Sequence, residues 1–409
     1  MAEFGLRINP GGLNFYLHRW LKYQCELHHI PLSDDPDIWL VSLSDVHEFG
    51  TLYGLQADGR PIIVGGGEVA NDHVYQHFVD LLVIGEGFEF FRDLEQIAHL
   101  PPDVVLSELE KKPYILSKQK EKAIPSTYVN WAEAPLIQVA PKKKMILWAR
   151  GCQRKCKFCF TSWTTKYQTR PPMLVPLPEK VMLISNDNST EWELSYKAYA
   201  RSMYARDYLR MTRKQAKNCR YYRFGIESFT EKGRTFLGKP ITNEEIRKLY
   251  LLGPILKHDY QFFIIAGLEP QESLFEFLDA MGEGDQLFSP KIIFKITWFN
   301  PCQHIPLKNF DIRELYVWDK DWIWGRLTSF SPRFRLCMGG DPGDAYFRTF
   351  FHRARTKEEA ITIWKARNRP GSEIIQIPEK YGWGHMYDQA APTKIDYTGF
   401  HAGQKAKTN

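Results

Sequence analysis

The sequence predicts an α/β protein: an N-terminal parallel sheet with helices, then a partial (β/α) barrel, then a mainly helical C-terminal extension. Three observations carry this. Short apolar runs end in glycine-bearing turns, Ile62-Ile63-Val64 into Gly65-Gly66-Gly67 and Leu81 to Ile84 into Gly85-Glu86-Gly87, as buried parallel strands with ligand-facing loops do. Strand-like and helix-like segments alternate through the middle of the chain. One loop after an apolar run, Met145 to Ala149, places Cys152, Cys156 and Cys159 in a C-x3-C-x2-C spacing, where cofactor ligands commonly gather.

Leu13 to His28 has leucines and aromatics at three- and four-residue spacing and predicts an amphipathic helix; its isolated Cys25 reads as a buried structural thiol. Asp37 to Leu43, Pro61 to Val64 and Asp80 to Ile84 are strands of a Rossmann-like parallel sheet. Residues 101–140 are proline-bearing and read as a connector. After the cysteine loop, Lys180 to Ser185 predicts a strand ended by Asn186-Asp187, Glu191 to Arg213 a long helical stretch, and Tyr221 to Ser228, Tyr260 to Ala266 and Lys291 to Phe299 further strands. From about residue 311 the chain is aromatic and basic, and from Tyr381 it reads as a mobile tail. The divisions are 1–125, 126–310 and 311–409.

The 409 residues, 44% hydrophobic and 14% aromatic, describe a packed protein of more than one domain. A net charge of +6 is compatible with an anionic partner without requiring one. Seven cysteines, three of them in one cluster, do not read as a secreted disulfide framework. No apolar run approaches the roughly 18 residues of a membrane span, so the expectation is a soluble, cytoplasmic protein with no membrane partner.

Three thiolates on one loop can hold zinc or an iron-sulfur cluster, and the fourth ligand separates the two. Structural zinc sites usually draw on paired C-x2-C knuckles; no second knuckle exists, and Cys219, Cys302 and Cys337 stand alone. Three thiolates with an open fourth position is the simpler inference. The spacing, with Phe158 before the last cysteine, resembles the signature of the radical SAM superfamily. Phe224 to Ser228, Arg234 to Lys239 and Ile241 to Glu245 resemble its "GIES…R..LGK..T.E.I" segment, and Phe263 to Pro270 resembles its "MIGLPGET" strand end. The Gly65 and Gly85 turns resemble the cobalamin-binding-type Rossmann domain of one branch of that superfamily.

The resemblance implies a [4Fe-4S] cluster on Cys152, Cys156 and Cys159, S-adenosylmethionine (SAM) on the open iron, and a 5′-deoxyadenosyl radical. It implies Phe158 and Phe160 near the cluster or adenine, with Asn186, Asp187, Glu227 and Ser228 as cofactor-binding residues. Asp, Asn and Ser at such junctions also serve as helix caps. Cys302 and His304, on a barrel-end loop, are candidate proton or hydrogen donors, against a plain structural role. Asp45-Val46-His47-Glu48-Phe49-Gly50 satisfies a D-x-H-x-x-G cobalt-ligand string, but only fourteen residues separate Gly50 from Gly65, which reads as too short for the intervening strand and helix. His47 is therefore taken as a loop histidine, and the front domain as a scaffold without cobalamin.

The basic balance, the interleaved aromatics from Arg201 to Arg223 and from Trp318 to Arg355, and a basic tail suit a nucleic-acid substrate; Arg223, beside Tyr221 and Tyr222, is a candidate contact for a carboxylate or phosphate, against a solvated charge. The chain also resembles compact radical SAM proteins of bacteriophage genomes, including isomerases that rearrange a glycinyl substituent on hypermodified thymidine in viral DNA. The expected function is such an isomerisation, in the host cytoplasm, with flavodoxin or ferredoxin as reductant. The alternatives are a cobalamin-dependent radical SAM methylase, a tRNA methylthiotransferase-like enzyme and, outside catalysis, a zinc-binding nucleic-acid adaptor.

Overall fold

The computed structural model describes residues 1–8, 14–67, 73–120, 122–140, 143–171, 181–184, 198–212, 216, 219–282 and 290–391. The front sheet contains β1 (Phe4–Ile8), β2 (Ile38–Ser42), β3 (Ile62–Gly65), β4 (Leu81–Val83) and β5 (Ile115–Leu116), in that spatial order. The first four strands are parallel and β5 pairs antiparallel with β4. Helices α1 (Asn14–Leu27), α2 (Phe49–Leu55), α3 (Gly87–Ile97) and α4 (Pro102–Glu110) join them. The last of these lies in the expected connector, yet its Val105 and Leu109 are core residues.

Alternation along the strands divides this sheet between two cores. Ile38, Leu40, Ile63, Leu81 and Val83 face Trp20, Leu21, Phe88 and Phe91 of α1 and α3. Trp39, Val41, Ile62, Val64 and Leu82 face the other way, into a core completed by Phe347, Phe350, Phe351 and Ile363. The far end of the chain therefore covers the front sheet.

Strands β6 (Ile137–Ala140) and β7 (Lys143–Leu147) are followed by the short pair β8 (Ala149–Arg150) and β9 (Gln168–Thr169), which bracket the cysteine loop and α5 (Thr161–Thr164). Strand β10 (Val181–Ile184) runs parallel to β7. The second large sheet comprises β11 (Ala198–Met203), β12 (Cys219–Glu227), β13 (Asp259–Ala266), β14 (Ile292–Trp298) and β15 (Phe334–Met338), all parallel and in sequential order. Its covering helices are α6 (Ala205–Leu209), α7 (Glu231–Phe236), α8 (Asn243–Leu256) and α9 (Leu274–Met281). The α/β reading with a helical C-terminal part holds.

Two expectations about this region change. Residues 198–203 form a strand where a long helix is predicted, because pairing with β12 supplies their backbone bonds. Tyr381 to Ala391 is packed: Met386 and Tyr387 are buried, and their carbonyls, with those of Lys308 and Phe310, accept from the buried Arg353 guanidinium. Among the described residues no helix is long and apolar enough to cross a membrane.

The extension contributes α10 (Lys320–Phe330), α11 (Gly343–Arg353) and α12 (Lys357–Lys365). Phe351 of α11 meets Phe49 at 4.9 Å and Tyr75 at 6.0 Å between ring centroids. At the rim, Arg348 pairs with Asp45 and Asp344, both at 2.8 Å, and His47 Nε2 lies 2.8 Å from Asp344 Oδ1. Burial alone would raise both carboxyls; their hydrogen bonds, Asp45 to Arg348 and Asp344 to His47 and Arg348, win and hold them below the ordinary range.

Phe351→Ala should cost about 3–5 kcal/mol, read from the denaturant midpoint; a loss below ~1 kcal/mol would mean the helix is not seated on the front sheet. Because Asp45 and Asp344 titrate lower in the folded chain, the clasp contributes fully above their unfolded value near about 3.9 and is lost as pH falls through the depressed folded values. The stability gap between wild type and Arg348→Met should accordingly be wide at neutral pH and close under acid. A gap that stays constant down to acid unfolding contradicts the clasp.

Candidate cluster and cofactor site

The chain leaves β7 and turns at Gly151 with φ 69°. A Cβ there would stand 2.5 Å from the Lys166 carbonyl oxygen, so a side chain would prevent the loop from closing on the segment after α5. Cys152 and Cys156 are buried, Cys159 is half-buried, and none is in a disulfide. Burial pushes the Cys156 thiol up to about 11 despite the nearby Lys239 ammonium.

The Leu237-Gly238-Lys239 turn docks on this loop. Lys157 N–H donates to the Leu237 carbonyl at 3.0 Å. A Cβ on Gly238, whose φ is 83°, would stand 3.0 Å from Lys155 O and 3.2 Å from Cys156 Cα. The Lys239 ammonium donates to Glu227 Oε1 at 3.1 Å and Gly225 O at 3.3 Å and lies 5.9 Å from the Phe158 ring centroid. Burial would lower its pKa, but Glu227, Cys156 and Cys159 outweigh that and keep it charged. Glu227 adopts φ 69° where β12 shifts register against β13, which turns its carboxylate toward the lysine. The segment is held from below by Arg234, fully buried, which donates to the carbonyls of Phe229 (2.6 Å) and Ile241 (2.8 Å) and to Asn243 Oδ1.

Phe158 and Phe160 pack against the core shared with the front sheet. Ser228 donates to Glu269 Oε2 at 2.8 Å, beside the Phe229 amide and Thr230 hydroxyl that bond the same carboxylate. It shapes the turn into α7. Cys302 and His304 lie on the loop after β14, and Gln303 between them donates to His73 Nδ1 at 3.0 Å and to the His352 carbonyl at 3.2 Å. Asn186 and Asp187 lie outside the described residues.

Among the described residues no three His, Cys, Asp or Glu side chains converge as the ligands of one metal ion would. A zinc ion bound at about 2.3 Å per thiolate needs sulfurs about 3.8 Å apart; an iron-sulfur cube accepts thiolates from a wider ring.

A cavity of about 520 Å³ begins beside this loop. It runs between the front sheet and α1 and α3, lined by Trp20, Leu40, Ile63, Val83 and Phe88, and reaches the carboxyl ends of the strands at Gly65–Gly67 and Gly85–Gly87. Met145, Arg150, Phe160 and Thr164 line its other wall. A Cβ on Gly66 would strike Leu43 O at 2.1 Å, and one on Gly85 would strike Ser126 O at 2.2 Å. Arg150 Nε donates to both oxygens of Glu86, at 2.9 and 3.0 Å, and so joins the front sheet to the cysteine loop. Arg150 and Glu86 carry no motif and escape sequence reading. His47 is not among the lining residues; it sits in a short 3-10 turn facing α11. The interval after it does hold a helix and a strand, α2 and β3, so it is not too short; the bond to Asp344 is what occupies His47.

No protein-family model matches the chain, and comparison with curated proteins finds no match. Solved structures do resemble it. The radical S-adenosylmethionine methyltransferase TsrM from Kitasatospora setae, with cobalamin and a [4Fe-4S] cluster bound, matches with a TM-score of 0.54 at 11% identity over 93% of this chain and 100% of that one. TsrM with tryptophan substrate and a SAM analogue gives 0.55 at 11% over 77% and 76%. The cobalamin-dependent S-adenosylmethionine radical enzyme OxsB, with aqua-cobalamin and SAM, gives 0.51 at 14% over 69% of this chain and 52% of OxsB, so this chain spans about half of it. The expectation of a front domain without cobalamin is thereby corrected: two proteins of this fold hold cobalamin, and here an apolar cavity with glycine-ended turns offers room for a flat ligand. The chain has the fold of cobalamin-binding radical SAM enzymes.

Substitutions at two positions test the docking of the turn on the loop. Gly238→Ala forces a left-handed backbone on alanine and should cost about 1–3 kcal/mol while lowering the iron retained after anaerobic reconstitution. Lys239→Met strands Glu227 and should cost about 3–5 kcal/mol, with Lys239→Arg closer to wild type. Unchanged denaturant midpoints and iron content in both would remove the turn's role.

Proposed function

We propose that the chain is a cobalamin-dependent radical SAM enzyme of the methyl-transferring kind. The observation that carries this reading is the continuity of the cavity with the cysteine loop through the Glu86–Arg150 pair. When bound, the cluster would supply electrons for cleaving SAM and cobalamin would supply a methyl carrier.

The chain's own residues do the rest. Cys152, Cys156 and Cys159 would hold the cluster. Lys239 offsets the negative charge that thiolates bring, and Glu227 keeps its ammonium in place. Phe158 and Phe160 exclude water on the side of the shared core. The Gly65–Gly67 and Gly85–Gly87 turns present backbone rather than side chains to a ligand in the cavity, and the faces of Trp20 and Phe88 take its apolar surface. This reading requires a one-electron donor of the flavodoxin or ferredoxin kind. The isomerase reading on a glycinyl-modified thymidine rests on sequence resemblance, without a feature of the cavity to favour it.

Anaerobic reconstitution with iron, sulfide and hydroxocobalamin should give about four irons per chain and stoichiometric cobalamin that survives gel filtration, read from its visible spectrum. Cys156→Ala should lose the iron and keep the cobalamin. Four irons without cobalamin would restore the isomerase reading, and stoichiometric zinc without iron would exclude both.

A further inference from the structure

The barrel sheet carries its aromatic core on one face only. Tyr222, Phe224, Ile226, Tyr260, Phe262, Ile264, Ile292, Phe294 and Phe334 are buried beneath α6, α8, α9 and α10. Among the described residues no helix covers the middle of the opposite face. Its register gives one row of Ser202, Arg223, Gln261, Ile293 and Arg335 across five strands, and a second of Gly225, Phe263, Lys295 and Cys337. Ser202, Arg223, Lys295, Arg335 and Cys337 are exposed, and Gln261, Phe263 and Ile293 are half-buried. A closed β/α barrel would fill this space with branched apolar side chains.

Charge on this face is one-sided. Arg223, Lys295 and Arg335 stand against Asp259, at the foot of β13, and Glu227, which is paired with Lys239, and none of the three cations makes an ion pair among the described residues. Arg335 bonds only the carbonyls of Pro332 and Phe334, and Lys295 lies 5.7 Å from the Phe263 ring centroid. The rows lead to the cysteine loop. A Cβ on Gly225 would meet Glu227 Oε1 at 2.2 Å and Lys239 Nζ at 2.8 Å, which puts that pair, and the thiols beyond it, above the second row on this same face.

We propose that this open face is the substrate platform and that it takes a single strand of nucleic acid. The inference rests on the function proposed above and names its substrate class. Arg223 and Arg335 are three strands apart, about 14 Å at a spacing of about 4.8 Å, with Lys295 between them one row nearer the cysteines. Cations dispersed at that interval suit successive phosphates of a chain better than one anionic group. Phe263, in the middle, offers a ring on which a base can stack, and stacking on a sheet requires bases freed from a duplex. The base resting over the second row would lie next to Lys239 and the cysteine loop.

The test is fluorescence anisotropy of the full chain with a short labelled single-stranded oligonucleotide, titrated with salt, on both the metal-free and the iron-reconstituted protein. Arg223→Gln and Lys295→Gln should each weaken binding and flatten the log–log salt slope by about 0.7, with Arg223→Lys keeping the slope. Phe263→Ala should weaken binding about ten-fold without changing the slope. Lys111→Gln, on the front domain, should change neither, and thermal midpoints identify any variant that has unfolded. No binding by wild type at low salt, equal affinity across folded variants, or equal competition by duplex or by free mononucleotide overturns the proposal. If reconstituted wild type holds iron and cleaves SAM but does not bind the strand, this inference alone fails. If the strand binds and no iron is retained, the proposed function alone fails.

Discussion

A lysine ammonium confined beside thiols sets the terms for the centre of this molecule. Lys239, with only 16% of its side chain exposed, loses much of its hydration and needs fixed partners in return. Glu227 is one, and reaching it requires the left-handed backbone and the slipped register at the end of β12. The Gly225 carbonyl is the other, and it is accessible because no side chain stands in the way. Gly238 lets the turn approach the Cys156 backbone, and Arg234 fastens both ends of the segment to its own carbonyls. Sequence features that look like separate motifs, GIES and RTFLGK, are thus one packed unit.

The front sheet is arranged around a different asymmetry. One face meets α1 and α3 with space left between them at the strands' carboxyl ends, and the other is sealed by α11 and α12. The cavity leaves its own side incompletely packed, while Phe49, Tyr75 and Phe351 fill the other with ring contacts. Glu86 and Arg150 then tie the mouth of the cavity to the loop on which the thiols stand.

Most strands were legible because burial on both faces or glycine at the carboxyl end leaves a local signature: β2, β3, β4, β7, β10, β12, β13 and β14 all lie where apolar runs place them. Strand β11 was not, since its tyrosine, alanine and arginine spacing suits a helix equally well and only the neighbouring β12 decides. The seating of α11 on the front sheet left no trace either, because matching apolar faces about 300 residues apart share no periodicity. Edge strands β1 and β15 were missed for a similar reason. The cysteine loop was legible from spacing alone, whereas the cavity beside it was not: a void is set by what surrounds it, and no residue type marks it. The D-x-H-x-x-G string shows the converse, a legible pattern whose histidine is bonded to a distant helix.

The late arrival of α11 and α12 has a biosynthetic consequence. During synthesis the front sheet leaves the ribosome first, with Trp39, Val41, Val64 and Leu82 on a face whose cover has yet to be made. That apolar surface waits for the roughly 250 residues that separate Leu82 from α11, an interval in which exposed apolar surface is open to aggregation.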